Sequence, residues 1–303
     1  MITILGPTAS GKTALAARLA FEVNGEIIST DSRQVYRGMN IGTGKDYDEY
    51  LVKGTRIPFH LVDIVDPGYE YNIFEYQKDF ASVYEDITMR GKMPILCGGS
   101  GMYIESIIKG YHLRPASKDS DFLKSLDQKT DDELKNLLQG LSIPHNTTDL
   151  LDRRRTVKAI MIAYSTEKRL IQSPLVSISE PVIFGIRFDR DALRKRITQR
   201  LEKRLHSGMI EESETLLNSG LTTEQLKFYG LEYRYLTMFI QKEIDYDQMF
   251  RLLNTAIHQF AKRQMTWFRR MERNGFVIHW IEGTKELEEK ISTIKFLLDQ
   301  YAQ

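Results

Sequence analysis

Gly6-Pro7-Thr8-Ala9-Ser10-Gly11-Lys12-Thr13 stands between a β-branched run, Ile2–Leu5, and a helical pattern, Thr13–Val23. The spacing is G-x-x-x-x-G-K-[ST] in a strand–loop–helix context, the signature of a phosphate-cradling loop. Gly6 and Gly11 permit backbone conformations that turn successive N–H groups toward one anion. The helix that follows adds the partial positive charge of its N-terminus. Lys12 brings a point charge to the phosphates, and the Thr13 hydroxyl is placed for Mg²⁺. The motif specifies a phosphorylated ligand without saying which one.

Outward from this loop the same alternation recurs. Glu26–Thr30, Phe59–Ile64, Pro94–Cys97, Pro181–Phe188 and Val277–Ile281 read as strands. Asn72–Arg90, Met102–Ile108, Ala192–Leu205 and Phe250–Glu272 read as helices. Strands alternating with helices predict an α/β fold, a P-loop NTPase-like parallel sheet covered by helices on both faces. Residues 114–179 break the rhythm, with helical stretches at Asp121–Leu126, Asp131–Leu138 and Asp149–Ala163 and no strand. They predict an all-helical insertion domain in a discontinuous catalytic core of residues 1–113 and 180–303.

The chain has 303 residues, 42% of them hydrophobic and 27% charged. That is enough apolar material for a sizeable core, which excludes global disorder. A single cysteine, Cys97, excludes a disulfide framework and a cysteine-rich zinc site and fits a reducing compartment. No apolar run reaches the ~18 residues of a membrane span, and Met1–Gly6 has no basic segment of the signal-peptide kind. A cytoplasmic protein with no membrane partner is expected. The net charge of +1 hides an asymmetry: residues 1–150 carry −5 and residues 151–303 carry +6, with +8 concentrated in 151–204. Such a local excess suits a polyanion or a solvated helix face.

Other residues are chemically suggestive. Asp31 follows the second strand, where ligands of parallel sheets sit; it suits a metal ligand, a general base or a turn-forming carboxylate. His60, Asp63 and Asp66 are candidate ligands or strand-closing residues. Gly98-Gly99-Ser100-Gly101 repeats the strand–turn–helix theme, with Ser100 as a helix cap or a ligand contact. Cys97, on an apolar strand with no local base, reads as buried and inert. Arg200 and Arg204 flank the apolar stripe of Ala192–Leu205, placed either to snorkel or to grip phosphate. Lys262, Arg263, Arg269, Arg270 and Arg273 interleave with Phe260, Trp267 and Phe268, a composition that suits RNA or the outer face of an amphipathic helix.

Taken in order, GPTASGKT (6–13), DSRQVYRGMNIGTGK (31–45), HLVDIVDP (60–67), GGSGMYI (98–104), RKRITQR (194–200) and AKRQMTWFRR (261–270) resemble the tRNA dimethylallyltransferases. The resemblance spans most of the chain and is weakest across 114–150. It implies a prenyltransferase that moves a dimethylallyl group from dimethylallyl diphosphate to N6 of the adenosine beside the anticodon. It implies that Gly6–Thr13 holds the diphosphate, with Mg²⁺ near Thr13. Asp31 would take the N6 proton, and Ser100 would stand near the reacting centre in place of a family threonine. Arg200 would stabilise the departing diphosphate. Ser32, Arg33 and Gln34 would grip the extruded base, and Arg154, Arg155, Lys158 and Gly230 would meet the tRNA anticodon stem-loop. A monomer is expected.

Four departures stand out: Ser100, Gly44 in GTGK where GTAK is usual, extra residues around Asp46–Arg56, and the more basic stretch Asp152-Arg153-Arg154-Arg155-Thr156. Three competing readings are separable. An adenylate dimethylallyltransferase needs no tRNA platform. A small-molecule kinase binds ATP and a phosphoryl acceptor. An RNA-binding module leaves Lys12, Thr13 and Asp31 without a role.

Overall fold

The computed structural model describes residues 1–117, 119–141, 150, 152–167, 176, 178 and 181–301. The chain divides into two compact units, Met1–Gly110 with Val176–Gln303, and Tyr111–Leu175.

In the first unit, six strands among the described residues pair in the order β5-β2-β6-β1-β7-β8, all parallel. They are β1 (Ile2–Leu5), β2 (Gly25–Ser29), β5 (Phe59–His60), β6 (Met93–Gly98), β7 (Val182–Arg187) and β8 (Ile278–Glu282). Two further strands, β3 (Leu51–Val52) and β4 (Thr55–Arg56), form a separate antiparallel hairpin. Successive side chains of a strand face opposite ways, and the core follows that alternation. Ile4, Ile27, Ile95 and Phe184 pack against helices α1 (Lys12–Glu22) and α12 (Leu287–Tyr301). Their neighbours Leu5, Ile28, Leu96 and Ile183 pack against α2 (Ile73–Met89), α3 (Gly101–Ile108) and the C-terminal part of α11 (Tyr246–Arg273). Each such Leu or Ile contributes about 1.5–3 kcal/mol when fully buried. A sheet buried on both faces is therefore where these continuous apolar runs are most stable.

The expected strand Phe59–Ile64 is only two residues long. Leu61 and Asp63 have φ of 61° and 56°, left-handed values that an extended strand does not contain. The chain turns there so that the N–H groups of Ile64 and Val65 both donate to the Val35 carbonyl.

A second layer of helices lies beside the sheet: α7 (Arg190–His206), α8 (Met209–Asn218), α9 (Thr223–Phe228) and α10 (Leu231–Ile240). Ile197, Leu201 and Leu205 of α7 share a core with Leu236, Leu253 and Ile257, and Ala9 of the phosphate loop joins it. The loop is thus seated on the same apolar surface that holds α7.

The second unit contains α4 (Ser120–Asp127), α5 (Asp131–Leu141) and α6 (Arg153–Glu167), closed around Leu126, Leu134, Leu138, Ile160 and Met161. Among its described residues there is no strand. Part of the expected helix Asp149–Ala163 lies outside the described residues; the helix that is described begins at Arg153.

Candidate active site

The carboxyl ends of β1, β2 and β6 open into one cavity of about 760 Å³. Its floor is the phosphate loop. Gly11, at φ 77°, caps α1 without a side chain, so no side chain of its own takes the N–H groups of the first turn and they are left for an anion. Ala9 is held at φ 62°, and Arg196 Nε donates to its carbonyl at 2.9 Å. The Arg196 guanidinium lies over the Phe188 ring at 4.9 Å. The Thr8 N–H donates to Gln264 Oε1 at 2.8 Å, and Gln264 Nε2 donates to the Gly99 carbonyl at 3.0 Å. One α11 side chain thereby joins the two glycine loops. Ser10 is buried, and its hydroxyl has no partner among the described residues. Lys12 and Thr13 face the cavity. Burial pulls the Lys12 ammonium below its ordinary pKa and Arg200 adds to this, while Cys97, Asp31 and Glu49 oppose it.

Asp31 lines the cavity just past β2. One carboxylate oxygen accepts the Arg33 N–H at 2.9 Å, which orients the group. Ser100 occupies the N-cap position of α3 but makes no capping bond. Its hydroxyl accepts the Ser32 N–H at 3.4 Å, so it links the second and third loops.

Arg200 and Arg204 come from α7. Arg200 Nη2 meets Asp46 Oδ2 at 2.6 Å, and Arg204 Nη2 lies 3.4 Å from the same oxygen. Burial pushes the Asp46 carboxyl up, but the two guanidiniums outweigh it and hold it below its ordinary value. The Arg204 guanidinium is pulled down by burial and by Arg200, against the pull of Asp46.

Of the predicted residues, Thr8, Ala9, Gly11, Lys12, Thr13, Asp31, Ser32, Arg33, Gln34, Ser100, Arg200 and Gly230 converge on this cavity. Gln34 is tied inward: its amide donates to the Gly44 carbonyl at 3.1 Å and accepts from the Ser29 hydroxyl at 3.3 Å. The Arg33 guanidinium sits over Phe228 at 5.2 Å. Arg154, Arg155 and Lys158 belong to the second unit, on α6.

Several other candidates serve the structure. Asp63 receives Lys45 and the Tyr47 hydroxyl, Asp66 pairs with Arg37 at 2.9 Å, and His60 meets Glu26 at 2.7 Å. Among the described residues no group of three or more His, Cys, Asp or Glu could hold a metal. Cys97 is buried, and that burial pushes its thiol up to about 12 with Lys12 opposing, so it is no nucleophile at neutral pH. Phe268 is core, and Trp267 packs against Gly101 while Arg270 covers its ring at 4.4 Å and reaches Glu105 at 3.3 Å. Phe260 and Arg263 do line the cavity.

Sequence pattern does not single out Arg196 or Gln264. It also misses Glu212, whose carboxylate accepts the N–H groups of Asn40, Ile41 and Gly42 at 2.8–2.9 Å. These contacts join residues at least 170 positions apart, and no local signal announces them.

The family model for IPP transferase matches residues 34–271. The chain belongs to the IPP transferase family. It is 49% identical to tRNA dimethylallyltransferase 2 of Bacteroides fragilis, over 99% of this chain and 98% of that one. It is 51% identical to tRNA dimethylallyltransferase 1 of Parabacteroides distasonis, over 99% and 97%. Among solved structures it resembles the full-length tRNA isopentenylpyrophosphate transferase of Bacillus halodurans, at 29% identity and a TM-score of 0.71, covering 99% of this chain and 95% of that one. A eukaryotic dimethylallyltransferase acting on tRNA shares the fold, with a TM-score of 0.73 at 22% identity over 94% and 74%.

Within this IPP transferase scaffold, the glycine at position 44 has a local reason. Gly44 has φ 77°, and a Cβ there would stand 2.4 Å from Arg204 Nη2 and 3.0 Å from Arg200 Nη2. The bare backbone lets both guanidiniums of this IPP transferase lie against the turn. The residues after it form the 3₁₀ turn Tyr47–Tyr50 and the β3–β4 hairpin.

Proposed function

We propose that the protein transfers a dimethylallyl group from dimethylallyl diphosphate to N6 of the adenosine 3′-adjacent to the anticodon of tRNA, releasing diphosphate, and that it works as a cytoplasmic monomer. The observation that carries this reading is the meeting, in one cavity, of an uncapped phosphate loop, a carboxylate and an arginine pair.

In this reading Lys12 and the loop N–H groups bind the diphosphate. Asp31 receives the proton as the N6 lone pair attacks C1 of the prenyl group and the C1–O bond breaks. The electron pair of that bond leaves on the diphosphate, where Arg200 stabilises the growing charge. An exocyclic adenine amine is a poor nucleophile, so a positioned base contributes about 10²–10⁴-fold. Reaching N6 in a folded loop requires extruding the base. Ser32 and Arg33 border the space it would fill. Gln34 contributes by fixing the turn at Gly44, and Gly230 by its close backbone at φ 140°. Arg154, Arg155 and Lys158 would meet tRNA phosphates.

The oxygen donors at the diphosphate end fit Mg²⁺. Mg²⁺ takes few protein ligands and completes its shell with phosphate oxygens and water, and Thr13, Asp31 and Glu49 all line the cavity. When bound, Mg²⁺ would neutralise the leaving group, with Thr13 among its ligands.

The test is transfer of label from dimethylallyl diphosphate to tRNA with adenosine after the anticodon, with AMP offered separately and Asp31→Ala alongside. Label in tRNA that is lost in the variant is the expected result. Label in AMP alone assigns the adenylate reaction instead, and ATP consumption without transfer assigns a kinase.

A further inference from the structure

The segment after Gly44 brings one carboxylate, Glu49, to the cavity and a second, Asp46, to two of the arginines that line it. Asp46 is taken by Arg200 and Arg204. Glu49, on the turn Tyr47–Tyr50, lines the cavity with Lys12, Thr13 and Arg200, whereas its neighbour Asp48 is exposed to solvent. The turn is held from both ends. Tyr50 is buried in the core with Val52 and Ile57, its ring 4.2 Å from that of Phe59, and Asp46 is anchored by the arginines. Glu49 is therefore fixed where it stands.

The groups facing Glu49 define its electrostatics. Burial and Asp46 raise its pKa, while Arg200, Lys12 and the Thr13 hydroxyl oppose them. Those three opposing groups are the ones that the proposed reaction assigns to the diphosphate and its cation. A carboxylate among them repels an incoming diphosphate unless a divalent cation lies between the two anions. Asp31 has a proton to accept, Asp46 has two arginines, and Glu232, which also lines the cavity, faces Arg204 and Arg200; Glu49 is the carboxylate that stands beside Lys12 and the Thr13 hydroxyl.

We infer that Glu49 is an additional cation-holding residue of the diphosphate site, acting with the Thr13 hydroxyl, so that diphosphate enters this cavity together with a divalent cation. The inference rests on the reading of the phosphate loop as a diphosphate site. Held by the turn Tyr47–Tyr50, Glu49 suppresses binding of metal-free diphosphate.

The experiment uses the full chain, inorganic diphosphate and calorimetry, with EDTA or with excess Mg²⁺, together with Mn²⁺ binding by electron paramagnetic resonance in the absence of diphosphate. Wild type is expected to bind diphosphate far better with Mg²⁺. Glu49→Gln is expected to bind metal-free diphosphate more tightly than wild type and Mn²⁺ ~10-fold or more weakly, the scale typical for lost support of a metal site. Glu49→Asp should recover part of the Mg²⁺ dependence. An unchanged Mg²⁺ enhancement and unchanged Mn²⁺ affinity in a folded Glu49→Gln protein would overturn the inference. Failure of wild type to bind diphosphate under either condition, or undiminished binding by Lys12→Ala, would instead overturn the reading of the loop.

Discussion

Asp31 illustrates how one residue acquires a role from its neighbours. β2 ends at Ser29, the backbone turns, and the Arg33 N–H pins one carboxylate oxygen at 2.9 Å. Asn at this position keeps an oxygen for that bond but cannot take a proton. Asp31→Asn is therefore expected to lose about 10²–10⁴-fold in kcat with little change in affinity for inorganic diphosphate, measured by single-turnover transfer and calorimetry. Equal losses in both would mean that Asp31 serves binding and not proton transfer. Gly44 is a residue of a different kind, needed for what it lacks. An alanine at φ 77° costs about 1–2 kcal/mol in backbone strain, and its methyl would displace the Arg204 guanidinium. Gly44→Ala should lower Tm and weaken diphosphate binding together. A variant with wild-type Tm would show that the turn adapts freely.

At the scale of elements, α11 does more than close the sheet face. Its Gln264 bridges the Thr8 N–H and the Gly99 carbonyl, fixing the spacing between the phosphate loop and the loop that carries Ser100. Leucine there would strand both backbone groups, each at about 1–3 kcal/mol if left unsatisfied. Gln264→Leu is expected to lower Tm by several degrees and to reduce kcat more than it raises KM. Gln264→Glu, which keeps the acceptor for Thr8, should be milder, and identical behaviour of the two would remove the bridge from consideration. This bridge also marks where sequence reading stops. The phosphate loop, Asp31 and Gly98–Gly101 are legible because each follows a β-branched run that is itself local, and the core strands are legible for the same reason. α8, α9 and α10 are not, because they are short and owe their stability to packing around Leu236 and Tyr233, not to a long periodic face. Asp46 meets Arg200 across 154 positions and Gln264 meets Thr8 across 256, distances over which pattern carries no information. The basic, aromatic stretch of α11 divides: Phe260 and Arg263 line the cavity. Its Trp267 and Phe268 look like stacking platforms but are spent on packing.

For the whole molecule, a carboxylate buried at the sheet is expected to contribute to stability in acid. Glu26 lies on β2, 4% exposed, and receives Arg90 from the end of α2 and His60 from β5, so one carboxylate ties three elements. The Arg90 guanidinium first, and His60 after it, outweigh the cost of burial and hold Glu26 at about 2, below its ordinary 4.5. A depressed pKa in the folded state means that the unfolded chain takes up the proton first as pH falls. The stabilisation is therefore complete above about pH 4.5 and drains away toward pH 2. Arg90 is 41% exposed on its side chain, so solvent screens part of the interaction, and the contribution is on the order of 2 kcal/mol. Glu26→Gln cannot titrate. It should be less stable than wild type at pH 7, yet the two should converge as pH falls from 5 to 2, measured by urea denaturation at each pH. Parallel curves across that window would mean that Glu26 does not govern the acid limb, and that other carboxylates unfold this protein in acid.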